Sequence, residues 1–159
     1  MLFFEHKGLY RRIKEDLPSE DYTVPLGKAK VVREGSDLSI ITYGAMVWVA
    51  LDAAEQLAGE GIHCEVLDLR TLAPLDREAV CDTARKTSKV LLLHEDTQTG
   101  GLAGELAAIL TERVWEYLDG PIVRVTAPDT PVPFSPPLEE AFLPNAEKVV
   151  AKARWLHRY

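Results

Sequence analysis

The stretch KVLLLHEDTQTGGLAGELAAIL, residues 89–110, decides the architecture. Lys89 to His94 is an almost uninterrupted apolar run, the composition of a strand buried on both faces in a parallel sheet. Gly101 to Leu118 reads as a long helix, with Leu102, Leu106, Ile109, Leu110, Val114 and Tyr117 on its inner side. A strand flowing through a short polar loop into a helix is half of a crossover unit, and the pattern repeats on both sides. Upstream, Ala45 to Glu60 is helical, with a stripe of Val47, Trp48, Leu51, Ala54, Leu57 and Ala58; Gly59 and Gly61 stop it. Ile62 to Leu69 reads as a strand. A helix opens at Leu75, capped by Asp76 and stapled from Leu75 onto Val80. Downstream, Ile122 to Thr126 is a further strand, and Asn145 caps a last helix running to about His157. Lys28 to Arg33 and Leu38 to Tyr43 flank the turn-forming Glu34-Gly35-Ser36-Asp37 and are expected to pair as an antiparallel hairpin. The alternation predicts an α/β fold: a mostly parallel five-stranded sheet, helices on both faces, and one antiparallel edge strand.

Composition narrows the function classes. The chain has 159 residues, 47% apolar and 27% charged, the balance of a globular domain able to bury roughly 70% of its unfolded surface. The longest uncharged apolar run, Leu38 to Leu51, is too short to span a bilayer, so no membrane partner is expected. A net charge of −7 argues against tracking nucleic-acid phosphates. Cys64 and Cys81 have no CxxC or His-rich companion and are expected as reduced thiols in a cytoplasmic setting. No basic, apolar, small-residue series opens the chain, so no signal peptide is expected.

The two ends of the chain are irregular. Met1 to Glu5 is an apolar run at a terminus, where chains ordinarily turn polar; it reads as a strand whose sheet partners lie elsewhere in the domain or are missing. Residues 14–27, charged, Pro-containing and unperiodic, read as a linker and domain boundary. Ala127 to Pro137 is Pro-rich and stiffened towards polyproline geometry. It carries Val132 and Phe134, with Phe142 and Leu143 beyond, on what should be a surface loop that either wraps its own domain or docks a subunit.

Ligand sites of open parallel sheets lie at the carboxyl ends of the strands, and three such ends carry candidate residues. Thr42-Tyr43-Gly44-Ala45 is either a tight strand-to-helix turn or, through its helix N-terminus, an anion site. Asp68 and Arg70 stand on the same side of an extended segment, as a local ion pair or reaching across a domain boundary. His94, Glu95, Asp96, Thr97, Thr99, Gly100 and Gly101 gather an imidazole, two carboxylates and two hydroxyls before a helix N-terminus. Acid–base chemistry is one reading of that cluster. A structural or interface role is the other, with Thr97 or Thr99 capping the helix, because HEDT is not HExxH and adjacent side chains cannot converge on one ion. His63 reads as a partnered core or edge histidine, and His157 as one of several cations near a helix C-terminus. No serine lies in GxSxG, and Gly101-Leu102-Ala103-Gly104 is no dinucleotide fingerprint.

Five segments together carry a resemblance: FFEHKGLYRR (3–12), VPLGKAKVVREGSDLSIITYG (24–44), CEVLDLRTLAPLD (64–76), LLLHEDTQTGG (91–101) and APDTPVPFSPPLEEAFLPNAEKVV (127–150). They resemble, in order and over essentially the whole chain, the carboxyl-terminal part of one family. It is the β subunit of the thiamine-diphosphate-dependent decarboxylating component of 2-oxo acid dehydrogenase complexes (pyruvate, branched-chain and acetoin types). Within it, the 127–137 arm is more similar to acetoin- and pyruvate-type bacterial members. The resemblance implies a transketolase-like carboxyl-terminal domain, a three-layer α/β/α sandwich, over residues 28–159. Residues 14–27 would be the interdomain linker, and 1–13 the tail of an amino-terminal pyrimidine-binding domain. Its implied partners are an α subunit, a second β subunit and the dihydrolipoyl acyltransferase core; its implied role is association and docking. Thiamine diphosphate and Mg2+ belong to the complete enzyme and are not expected on this chain, nor are catalytic, cofactor-binding or metal residues. Asp68, Arg70, His94, Glu95, Asp96, Thr97, Thr99, Gly100, Gly101, Pro131, Pro133 and Phe134 are the candidate interface or supporting positions. An independent α/β module that binds a partner or anionic ligand through the 94–101 loop is the alternative.

Overall fold

The computed structural model describes residues 2–159. Strands β1 (Lys30–Arg33), β2 (Leu38–Thr42), β3 (Cys64–Asp68), β4 (Val90–Thr97) and β5 (Val123–Ala127) form one sheet in the order β1-β3-β2-β4-β5. β2, β3, β4 and β5 run parallel, and β1 lies antiparallel to β3 at the edge. Side chains alternate across each strand, so the sheet feeds two cores. Leu38, Ile40, Val66, Leu91 and Leu93 meet helices α1 (Met46–Ala58) and α5 (Ala146–Arg158) on one face. Ile41, Leu67, Leu92 and their neighbours meet α2 (Arg77–Thr87) and α3 (Leu102–Val114) on the other.

The expected hairpin is not formed. β1 and β2 are separated by β3, because the 34–37 turn carries the chain across the entrance of β3 instead of folding it back. The amides of Ser36 and Asp37 both donate to the His63 carbonyl at 3.0 Å, and the His63 amide donates to Asp37 Oδ2 at 2.6 Å. Gly35 lies so close to the backbone of Cys64 and Glu65 that a Cβ there would collide with main-chain atoms of both. A hairpin would have left one side of β3 unpaired; the crossing satisfies it with β1.

Each helix follows from its caps and stripe, with instructive exceptions. Asp76 Oδ1 accepts from the Ala79 amide at 3.3 Å, and Asn145 Oδ1 from the Lys148 amide at 2.9 Å, as the capping residues require. The buried face of α1 is built from Met46, Val47, Ala50, Ala53, Ala54 and Leu57. Trp48, expected inside, is half exposed, because it lies on the side of the helix opposite Ala50, Ala53, Ala54 and Leu57. The helix expected at 101–118 gives way at Trp115 to a 3-10 turn, Trp115–Tyr117, and Tyr117 points outward. The Pro-rich arm ends in a helix that polyproline reasoning does not anticipate, α4 (Pro136–Phe142). Pro136 and Pro137 occupy its first turn, where a missing amide costs nothing. Lys148 closes its other end by donating to the carbonyls of Ala141 (2.6 Å) and Leu143 (2.8 Å). Phe142, expected on a surface loop, is therefore buried.

Glu65 is also buried, on the α2 face of β3. It is satisfied by the Thr83 hydroxyl and the Lys86 ammonium, while Ser39 Oγ bonds Thr87 Oγ1 at 2.7 Å beside it. A buried carboxylate of this kind is tolerated because its oxygens are paired. At the amino end, Leu2 to Glu5 forms no strand and its side chains are exposed; Met1 lies outside the described residues. The end of the 14–27 segment is tied down, with the Gly27 amide on Thr71 Oγ1 (2.9 Å) and the Ala29 amide on Asp76 Oδ2 (3.1 Å). No helix among the described residues is long and apolar enough to cross a membrane.

Substituting Gly35→Ala should therefore cost about 2–4 kcal/mol, since main chain and not a flexible side chain must yield. Gly104→Ala, where a Cβ meets nothing within 4 Å inside α3, should stabilise by about 0.5–1 kcal/mol. Urea midpoints of the two variants against the parent check both signs.

Candidate functional site

The carboxyl ends of β2, β3, β4 and β5 bring the candidate loops to one edge of the sheet. His94, near the end of β4, is the buried centre of this edge. Its Nδ1 lies 3.2 Å from the Asp96 amide and its Nε2 3.2 Å from the Ala103 amide, in the first turn of α3, and the neutral ring accepts from one of the two. The Tyr43 ring stacks on the imidazole, with centroids 6.3 Å apart and planes 20° from parallel. Burial holds the imidazole below the ordinary histidine range; Asp96 pulls it up and Arg124 pushes it further down. The same burial, helped by Asp96 and Glu95, raises the Tyr43 hydroxyl.

The rest of the loop holds itself. The Asp96 carboxylate accepts from the Thr97 amide (2.8 Å), and Thr97 Oγ1 donates to the Thr99 carbonyl (2.9 Å). Thr99 gives both its amide (2.8 Å) and its hydroxyl (2.6 Å) to Asp129, whose carboxyl is thereby held below the usual carboxylate range. Arg124 on β5 donates to the Gln98 carbonyl at 3.1 Å. Gly100 turns the chain at φ +77°, and Gly101 starts α3 against the imidazole: a Cβ there would stand 2.6 Å from His94 Cε1. Neither Thr97 nor Thr99 caps α3. Gly101 is the N-cap, and the first-turn amide that a threonine would have received goes to His94. Glu95 faces outward and meets His6 Nε2 at 3.4 Å, joining the amino-terminal segment to this edge.

The other candidates are separate from His94. Asp68 and Arg70 make no side-chain ion pair. The Arg70 amide donates to Asp68 Oδ1 at 3.0 Å, Arg70 takes a left-handed φ of +58°, and its side chain is exposed. Burial raises the Asp68 carboxyl, opposed by the Arg70 amide and by the charges of Arg70 and Lys30. Gly44, at φ +61°, makes the turn into α1, whose N-terminus has no side-chain cap. Pro131 and Phe134 lie on the surface, with Phe134 100% exposed, and Pro133 is half-buried. His63 is exposed and serves through its backbone. Sequence reading missed Tyr43, Arg124 and Asp129 as partners of the loop. Asp129 stands 30 residues from Thr99, inside the Pro-rich arm, and no local signal marks it. Among the described residues no three His, Cys, Asp or Glu side chains gather as a metal site. Chemically, the edge offers a hydrogen-bonded platform in which backbone amides face both nitrogens of His94.

A three-layer α/β/α sandwich, with a parallel core, one antiparallel edge strand and a self-braced loop at its carboxyl edge, is the class of domain defined here. Residues 27–149 match the family model described as "Transketolase, C-terminal domain", and the chain belongs to that family. It is 49% identical over 160 residues to 2-oxoisovalerate dehydrogenase subunit beta of Bacillus subtilis (strain 168), covering 100% of this chain and 49% of that protein. Against pyruvate dehydrogenase E1 component subunit beta of the same organism it is 45% identical over 154 residues, 97% of this chain and 47% of that one. Among solved structures, "Split gene transketolase, inactive beta4 tetramer" superimposes with a TM-score of 0.74 at 32% identity, over 91% of this chain and 46% of that chain. The chain spans about half the length of the curated relatives it matches.

Both cysteines are free and buried; burial pushes the Cys64 thiol up to about 12 and raises that of Cys81. Neither should react with a thiol-exchange dye near pH 8 in the native state, where an exposed cysteine is substantially thiolate. Both should react at once in strong denaturant. Rapid native labelling would show that one of these cores opens.

Proposed function

We propose that this chain is the carboxyl-terminal domain of the β subunit of a thiamine-diphosphate-dependent 2-oxo acid dehydrogenase, serving subunit association and docking of the acyltransferase core. The observation that carries the reading is the near-50% identity, along the whole chain, to proteins named as β subunits of such dehydrogenases, of which it matches about half. Residues 28–159 form the domain, 14–27 the linker, and 1–13 the tail of an amino-terminal domain. The complete cytoplasmic enzyme would decarboxylate a 2-oxo acid oxidatively and pass the acyl group to lipoyl-lysine, with the cofactor supplying the chemistry. The groups described here do not fit a cradle for thiamine diphosphate and Mg2+. No carboxylate cluster gathers for the metal among the described residues, and the α3 N-terminus is turned onto His94.

This chain contributes surfaces. Phe3 and Phe4 are more than four-fifths exposed, and Val132, Phe134 and Leu138 expose a second apolar stretch along the arm. Such side chains favour burial by a partner, each fully buried one gaining about 1.5–3 kcal/mol in transfer free energy. The α subunit, a second β subunit and the acyltransferase core are the proposed occupants. A loop braced by Thr99, Asp129 and Arg124 suits such contacts, since little ordering entropy is left to lose on binding.

Calorimetric titration of the 159-residue chain with thiamine diphosphate and Mg2+ should give no saturable heat. The same titration after mixing with an α subunit and a β subunit lacking this domain should reveal binding only if assembly occurs. Saturable one-to-one binding to the chain alone would overturn the assignment of the cofactor site to other parts of the enzyme.

A further inference from the structure

We propose that His94 is a built-in acid-sensitive latch, which fastens one of the two backbone amides that face it, that of Asp96 in the following loop or that of Ala103 at the start of α3, to β4 only while its imidazole is neutral. The geometry is unusual for a buried histidine. Backbone amides approach both ring nitrogens, Asp96 at Nδ1 and Ala103 at Nε2, each at 3.2 Å. A neutral imidazole has one lone-pair nitrogen to offer, so one amide is satisfied and the other faces a ring N–H. Protonation removes that lone pair. Imidazolium would present an N–H to each amide and carry a positive charge beside the positive end of the α3 dipole. The ring cannot swing away to find another acceptor, because Tyr43 stacks on it and Gly101 backs directly against Cε1.

The charged groups around the ring do not rescue the protonated form. On β4, Asp96 favours protonation, but its carboxylate is engaged with the Thr97 amide, and Glu95 faces outward towards His6. From β5, Arg124 disfavours it; from β2, Tyr43 contributes a neutral phenol. From α3, Glu105 lies in the first turn and pairs with Arg77 at 3.3 Å, and Asp129 is taken by Thr99. The sign follows. A histidine whose folded value lies below its unfolded value of about 6.5 gives its full stabilisation above that pH, and loses it as pH falls towards the folded value. The latch opens on acidification, and the segment it releases is local: Glu95 to Gly104.

The test uses the 159-residue chain with labelled histidines and amide exchange read residue by residue. His94 should remain neutral through the ordinary histidine range centred at about 6.5. Exchange at the one of Asp96 and Ala103 that the neutral ring accepts from, corrected for its intrinsic pH dependence, should accelerate below about pH 6.5, approaching about tenfold for each pH unit of the interval. In His94→Gln, which keeps a hydrogen-bonding side chain without a titration in this range, the acid-dependent step should vanish while exchange in β2 and α5 is unchanged. Titration of His94 at or above about 6.5 with both amides still protected would overturn the proposal. An unaltered acid step in His94→Gln would do the same. Should that variant not fold, the titration and exchange of the parent chain decide the matter.

Discussion

The order of the sheet depends on Gly35 passing over the entrance of β3 without a side chain. The Gly35 backbone lies against that of Cys64 and Glu65, while the His63 carbonyl takes the amides of Ser36 and Asp37. That crossing puts β1 on one side of β3 and β2 on the other, converting two neighbouring segments of sequence into strands separated in space. Once β2 is central, its Ser39 and Ile41 face α2 and α3 while Leu38 and Ile40 face α1 and α5. Both cores are then fed by alternate residues of one five-residue strand. The antiparallel edge is the result: β1 closes the side of β3 that the parallel strands leave open, in register Lys30 to Asp68 and Val31 to Leu67.

The same logic explains which parts of the fold are legible in the sequence. Buried strands such as Val90 to Leu93 announce themselves because both faces must be apolar, and capped helices because Asp76 and Asn145 sit at the required offsets from their first amides. Pairing is another matter. Glu34-Gly35-Ser36-Asp37 carries the residue types of a hairpin turn, and nothing local distinguishes a turn that reverses the chain from one that steps over a neighbour. The deciding contact, with His63, lies 26 residues away. The helix at Pro136–Phe142 is hidden for a related reason. Prolines that stiffen an arm are also tolerated in a helical first turn, and the lysine closing that helix, Lys148, belongs to the next one.

For the carboxyl edge, the sequence shows which residues gather and misses what they do. His94 through Gly101 lie together as read, yet the cap expected from a threonine is supplied by an imidazole from the end of the preceding strand. This works because Gly101 lacks a Cβ, allowing helix and ring to approach. A run rich in acid–base groups is thereby spent on holding its own backbone: Asp96 on Thr97, Thr97 on Thr99, and Thr99 on Asp129. The constellation looks like catalytic equipment in one dimension and is bracing in three.

That distinction separates the family's chemistry from its support. The chain matches about half the length of proteins named as dehydrogenase β subunits, and several of its own buried polar groups are turned inward onto the fold. Glu65 is held by Thr83 and Lys86, and His94 accepts from one of the two amides that face it. The surface also keeps large apolar side chains exposed: Phe3 and Phe4 at one end, Val132, Phe134 and Leu138 along the arm. Uncommitted apolar area is the currency of association, and a domain whose polar groups are spent on rigidity presents that area in a fixed shape. A braced carboxyl edge and an exposed apolar arm are the two features of this domain on which the proposed association role draws.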